Sequence, residues 1–216
     1  LITDFEPAQS LQLFDMGCGK GYLTFAIYYI LQQKGFTSLS ISGIDIKNDV
    51  LEKCNTIAKK LHYTGIQFIT GDIGSASDKK MDILIALHAC DTATDDAIVS
   101  GIKNQARLII VAPCCQKQLR HDTAPSALNE GLYRFGLAKE KITSLLTDLI
   151  RVNVLRYLGY QVTMQEFIGV EHTPKNTLIS ARWIGKKNEN ALVEIREWMQ
   201  VFGIKNHYLM ERLDLK

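Results

Sequence analysis

Short apolar runs alternate with amphipathic segments along most of the chain. Leu11–Phe14, Leu39–Ile46, Ile66–Ile69, Met81–Leu87 and Arg107–Ala112 read as five strands, brief and rich in Ile, Leu and Val. Between them, apolar residues recur at helical spacing. Tyr22–Gln33 predicts a first helix with Leu23, Ala26, Ile27 and Ile30 on its inner face and Gly35 as its stop. Asn48 or Asp49 can cap a second helix that runs to about Leu61, and Thr94 or Asp95 a third that reaches Lys103. Pro113 ends the fifth strand.

After Pro113 the rhythm changes, and Gln116 to Gly136 reads as irregular. Helical spacing returns over Lys141–Tyr157, with Leu145, Leu149, Val152 and Leu155 available to pack. Gln161–Gly169 and Thr177–Ile184 predict two strands joined as a hairpin, and Ala191–Phe202 a last helix. Strand–helix repeats of this kind specify an α/β fold, a doubly wound and mostly parallel sheet covered by helices on both faces, to which the hairpin adds an antiparallel strand.

Composition adds bounds rather than a function. The 216 residues suit one α/β domain over 1–216. The chain starts at Leu1 with the first strand close behind, so a fragment of a longer protein is expected. A net charge of +2 gives no strong pull toward nucleic acid, although basic residues gather between Lys175 and Lys187. Five cysteines, an odd number with Cys114 and Cys115 adjacent, do not make a disulfide framework and predict a reducing cytoplasm. No apolar run approaches the ~18 residues of a membrane span, so no membrane partner is expected. Nothing in the sequence sets the oligomeric state.

Candidate chemistry begins in LQLFDMGCGKGYLT, Leu11 to Thr24, where an apolar run ends in Asp15 and Gly17, Gly19 and Gly21 follow on alternate positions. A dinucleotide turn, G-x-G-x-x-G, would need glycine where Tyr22 stands, and a carboxylate just before it would repel a pyrophosphate. The spacing G-x-G-x-G behind an acidic residue resembles motif I of class I S-adenosylmethionine (SAM)-dependent methyltransferases. That resemblance implies SAM as the cofactor, with Asp15 countering its ammonium. In a doubly wound sheet the ligand lies outside the carboxyl ends of the strands. There Asp45, with Ile46 beside it, can accept both ribose hydroxyls. The same resemblance implies that Asp72 accepts from the adenine amine, with Ile73 against the ring. Leu87 and His88 leave strand four where the transferable methyl would point.

Methyl transfer needs the nucleophile aligned and, for a hydroxyl, deprotonated. His88 and Asp91 are three apart and share a face if a helical turn begins there, so either can serve as general base or substrate anchor. The alternative is that His88 lines the pocket through its backbone and Asp91 caps the next helix. Pro113 and Cys114, at the end of strand five, fall near the substrate mouth. The adjacent thiols read as small residues shaping the pocket floor. A zinc site from Cys90, Cys114, Cys115 and His88 or His121, and a nucleophilic Pro-Cys, are the alternatives, but no C-x-x-C pair is present and no metal is expected. Glu171, His172, Lys175 and Asn176 sit in a polar loop, EHTPKN, suited to substrate contact.

DMGCGKGYLTFA, ALHACDTATDDAI, VAPCCQKQLR and EHTPKN, in this order, resemble the methyltransferase domain of the methyltransferase-like protein 25 group and of the glutathione S-transferase C-terminal-domain-containing protein. The likeness covers about Leu11 to Trp183. It implies a seven-stranded sheet with an antiparallel closing strand, SAM binding, and Asp15, Gly17, Gly19, Asp45, Asp72 and His88 as pocket residues. HAC and CC are also similar to the HLCG and CCHH of tRNA 2′-O-methyltransferases, but here Gln116 and Lys117 follow the cysteines. The expected function is a SAM-dependent methyltransferase, with RNA as the acceptor class. Two alternatives are a SAM-binding interaction module without transfer and an NAD-dependent oxidoreductase.

Overall fold

The computed structural model describes residues 2, 5–7, 9–73, 80–87, 89–123, 129–166 and 176–215. The elements are β1 Leu11–Met16, α1 Tyr22–Gln33, β2 Leu39–Asp45, α2 Asn48–Lys60, β3 Ile66–Thr70, β4 Ile83–Ala86, α3 Thr92–Lys103, β5 Leu108–Val111, α4 Gln118–Asp122, α5 Glu130–Tyr133, α6 Gly136–Tyr157, β6 Tyr160–Glu166, β7 Thr177–Trp183, α7 Glu189–Phe202 and α8 Tyr208–Arg212. The seven strands form one sheet in the order β3-β2-β1-β4-β5-β7-β6. β1 pairs parallel with β2 and β4, β2 pairs parallel with β3, and β6 and β7 close the sheet antiparallel. This is the expected α/β class. Every residue of β4 and β5 is buried, as strands covered on both faces must be. Among the described residues, no helix is long and apolar enough to cross a membrane.

The chain divides into two compact units. One comprises 1–88 and 100–110, the other 89–99 and 111–216. In the first, Leu11, Leu13, Met16, Ile41, Met81, Ile83 and Leu84 fill the core. Gly35 ends α1 as expected: at φ 85° it donates to Gln32 O while Phe36 donates to Leu31 O, the paired bonds of a left-handed helix stop. In the second unit, Ile150, Val154, Leu155, Ile179, Ala181, Ala191 and Ile195 are buried together with a set of polar side chains.

Several local expectations change. The buried face of α1 is Thr24, Ile27, Tyr28 and Leu31, one position round from the expected one, and Leu23, Ala26 and Ile30 are exposed. The reason is polar: Thr24 bonds to buried Asp15, and the Tyr28 hydroxyl accepts the Gly65 amide. Asn48 lies inside α2 rather than capping it. In α3, Thr94 donates to Ala89 O and Asp95 turns to Arg151, so neither caps the helix end. α6 starts five residues before the expected Lys141 and buries Thr143, Leu146, Thr147, Asp148, Arg151 and Asn153, while Leu145 is exposed. Its two buried threonines satisfy their hydroxyls on helix carbonyls one turn back. The segment read as irregular contains α4 and α5, and α8 lies beyond the last expected helix.

Candidate functional site

The first unit carries the glycine turn. β1 runs on to Met16, so Asp15 lies inside the strand and is almost wholly buried. Thr24 Oγ1 donates to Asp15 Oδ2 at 2.6 Å, fastening the first turn of α1 to the strand end. Gly17, Gly19 and Gly21 between them have φ of 78°, 53° and 69°, the left-handed region that glycine enters without penalty. Two of them are glycine for different reasons. At Gly21 a Cβ would lie 2.6 Å from the Phe68 ring, whereas at Gly19 it would meet nothing within 4 Å. The first packs the turn onto the sheet; the second leaves room for a ligand to reach the backbone.

Asp45 ties the neighbouring loops together. Its Oδ2 accepts the Gly19 amide at 2.9 Å and its Oδ1 the Lys47 amide at 3.2 Å. Its backbone carbonyl accepts the Gly71 amide at 3.0 Å. The segments after β1, β2 and β3 therefore meet at one residue. Ile46 beside it is 74% exposed, Asp72 is exposed, and Ile73 and Leu87 are half-buried. The field here is negative: burial pushes the Cys18 thiol up to about 12, and the charges of Asp15 and Asp45 add to it. Such a turn disfavours a pyrophosphate and favours a cationic ligand.

The second unit holds Asp91, Pro113, Cys114 and Asn176. Asp91 has φ 55°, a left-handed conformation in a residue with a side chain. Its Oδ1 accepts the amides of Lys117 at 2.8 Å and Gln118 at 3.1 Å, and its own amide donates to Cys115 O at 3.2 Å. Arg151, with no exposed surface, donates Nη2 to Asp91 O at 2.9 Å. Arg151 is held in turn by Asp95 through two bonds and by Asp148 at 3.1 Å, and Gln116 donates to Asp148. Burial raises the Asp95 carboxyl against the pull of Arg151. Burial also pushes Asp148 up to about 6 against Arg151 and Gln116. Pro113 and Asn176 are buried; Cys114 is half-buried, and burial together with the sulfurs of Cys90 and Cys115 pushes its thiol up to about 12. His88, Glu171, His172 and Lys175 lie outside the described residues.

Sequence reasoning missed Arg151, Asp148, Asp95 and Gln116 as the frame of this loop. A signal was present: Asp148 and Arg151 are opposite charges three apart on one helix face, flanked by Leu149 and Ile150. It also missed His207, which is buried with neither ring nitrogen bonded among the described residues. Burial, and secondarily the Arg151 charge, push its imidazole down to about 3.

A parallel sheet with a glycine turn after β1 and carboxylates after β2 and β3 defines a cofactor-binding α/β protein. The chain belongs to the methyltransferase domain family, whose model matches residues 1–122. Similar folds occur in an rRNA methylase from Streptococcus thermophilus (9% identity over 81% of this chain and 88% of that one, TM-score 0.51). They also occur in a geranyl diphosphate methyltransferase in complex with SAM (13% identity, 83% and 80%, TM-score 0.50). The CMeT domain of the citrinin polyketide synthase is a third (15% identity, 84% and 48%, TM-score 0.52). The chain spans less than half the length of that last structure. No curated protein matches the chain.

The residues fit the family's methyl donor. The open space at Gly19, the negative field around the turn and the exposed Ile46 and Asp72 suit a cationic adenosyl compound. Family and site together give the cofactor as S-adenosylmethionine.

Proposed function

We propose that this chain transfers the methyl group of SAM to a nucleophile on RNA. The observation that carries the cofactor half of this reading is the Asp45 carboxylate, fixed by the Gly19 and Lys47 amides at the carboxyl end of β2. Bound there, SAM supplies a methyl group already activated on a sulfonium. The residues then have separate tasks. Asp45 binds the ribose hydroxyls, Asp72 the adenine amine, and the apolar Ile46 and Ile73 flank the ring. Asp15 meets the ammonium and holds α1 in place through Thr24. His88 accepts the proton of the nucleophile. Asp91, whose Oδ1 is engaged by two backbone amides, orders the loop that follows His88.

Support for RNA comes from the second unit. A cleft of about 570 Å³ is lined by Arg156, Lys186 and Lys187 with Tyr160, Asn188, Glu189 and Asn190. Arg156 is paired with Glu194, and the two lysines and two asparagines supply the cationic and hydrogen-bonding groups that suit phosphates. Lys187 also lies over the Tyr157 ring. The polar sequence EHTPKN, with Glu171, His172 and Lys175, is the stretch we assign to substrate contact in this reading.

The test is transfer of tritiated methyl from SAM to total RNA, with protein and small-molecule pools alongside. RNA should take the label, and His88→Ala should lower it. Asp45→Ala should weaken SAM binding by about 1–3 kcal/mol, the cost of losing a hydrogen-bonding partner. Unchanged affinity would refute the cofactor assignment. One observation favours a second reading, a SAM-binding module without transfer: Asp91 Oδ1 is taken up by two backbone amides, which ties one of the two candidate bases to its own loop. SAM binding with no labelled acceptor in any pool would establish that reading instead.

A further inference from the structure

Three sulfurs converge in the second unit. Cys90 Sγ lies 3.0 Å from Cys114 Sγ, and Cys114 Sγ lies 3.7 Å from Cys115 Sγ. All three atoms fall within 4.8 Å of one another. None of the five cysteines is in a disulfide. Four ligands at the zinc–sulfur distance of about 2.3 Å stand roughly 3.8 Å apart at the corners of a tetrahedron. The Cys114–Cys115 edge already has that length, the Cys90–Cys114 edge is less than an ångström short of it, and the Cys90–Cys115 edge lies within 4.8 Å.

The convergence is built. Cys90 precedes α3, and Cys114 and Cys115 follow β5, two segments that the chain separates by 24 positions. They are clamped together beside the sulfurs by the Asp91 amide on Cys115 O and by Asp91 Oδ1 on the Lys117 and Gln118 amides. The fully buried Arg151 grips Asp91 O from behind, and Gln116, the residue after Cys115, is bonded to Asp148 of the same network. Asp91 is held at φ 55° to make this turn, a strained backbone that persists only where its surroundings impose it. The cost of that strain and of burying a guanidinium goes into holding two cysteine segments at ligand spacing.

We propose that Cys90, Cys114 and Cys115 bind a thiophilic metal ion, zinc, through three thiolates. Soft sulfur ligands select such ions over magnesium or calcium. Each thiol that binds releases its proton to solvent. Three protein ligands leave a fourth position, and because Cys90 is exposed that position is open to water or to an atom of a substrate. This site is independent of the RNA reading and of SAM binding.

The test uses reduced protein stripped of metal with a chelator and titrated with Co²⁺, whose thiolate charge-transfer and ligand-field bands report sulfur ligation and tetrahedral geometry. One Co²⁺ per chain should bind and be displaced by Zn²⁺. Cys90→Ser, Cys114→Ser and Cys115→Ser should each weaken binding at least about tenfold, the least that loss of a supporting contact costs a metal site. Cys18→Ser and Cys54→Ser should leave the bands intact. Circular dichroism checks that each variant is folded, and Cys90, being exposed, is the substitution least able to disturb the core. No thiolate bands in the wild type, bands that persist in Cys90→Ser and Cys114→Ser, or a Cys90–Cys114 disulfide in place of metal uptake would each overturn the proposal. Calorimetry with SAM on the same preparation separates the two readings, since loss of SAM binding with cobalt uptake intact breaks the methyltransferase proposal alone.

Discussion

Asp45 and Asp91 each receive two backbone amides, in regions built on different principles. In the first unit the clasp is glycine-based: Asp45 takes Gly19 and Lys47, and left-handed glycines shape the turn it holds. In the second unit the clasp is charge-based: Asp91 takes Lys117 and Gln118, adopts a left-handed conformation itself, and is gripped by Arg151 from 60 positions away. A turn made of glycines asks little of the rest of the chain. A turn made around a buried guanidinium depends on Asp95, Asp148 and Gln116 all being satisfied at once.

The comparison is broken most severely at Arg151. Arg151→Met leaves Asp95 and Asp148 buried without their cation and should cost about 3–5 kcal/mol in denaturant unfolding. Neutralising both carboxyls in the same chain, Asp95→Asn with Asp148→Asn, should restore much of that loss. A single variant within about 1 kcal/mol of the wild type would show that the network is not what holds this region.

Next come the glycines. Gly21→Ala puts a Cβ against Phe68 as well as into a left-handed backbone, and should cost roughly 2–5 kcal/mol from the two effects together. Gly19→Ala meets only open space, so its stability cost should stay near the left-handed penalty of about 1–2 kcal/mol while SAM affinity falls. Thermal unfolding and SAM calorimetry on both variants decide it. Equal stability losses would mean that the two glycines do the same job after all.

Asp91 gives a sharper contrast. Asp91→Ala should lose about 1–3 kcal/mol as the Lys117 and Gln118 amides go unpaired, whereas Asp91→Asn keeps an oxygen acceptor and should be nearly neutral. If Asp91 were instead a base, the Asn variant would lower the transfer rate by about 10²–10⁴ while its stability stayed intact.

The smallest effect is a pH slope. The His207 imidazole sits at about 3 in the folded chain against an ordinary 6.5, so its contribution is full above 6.5 and is lost as pH falls toward 3. One proton gives a slope of at most about 1.4 kcal/mol per pH unit. Asp148, raised to about 6, acts in the opposite sense: its contribution is full below 3.8 and is lost as pH rises through 6. Unfolding midpoints of the wild type and His207→Phe should therefore diverge as pH drops below 6.5, the variant holding up better in acid. Parallel curves would remove His207 as an acid-sensitive group.

Much of the first unit was legible because its signals are local. DMGCGKG encodes its own backbone, and the strands fell within a few residues of their predicted bounds. Helix faces were less legible. Hydropathy placed Leu23 and Ile30 inside, but Thr24 and Tyr28 took those places because each makes a hydrogen bond on that face, to Asp15 and to the Gly65 amide. The same error, enlarged, hid the second unit's frame: along α6 the apolar count pointed to Leu145, while the buried stripe carries Asp148 and Arg151.

The sequence by itself determined the α/β alternation, the glycine turn and the carboxylates at the strand ends, because period, turn chemistry and strand termini are written in neighbouring residues. Only the tertiary structure decided which polar groups go inside and which cysteines meet. A polar side chain is buried when a distant partner satisfies it, and three thiols become a cluster when a buried charge network holds their segments in register. Neither partner nor register is a property of the local sequence.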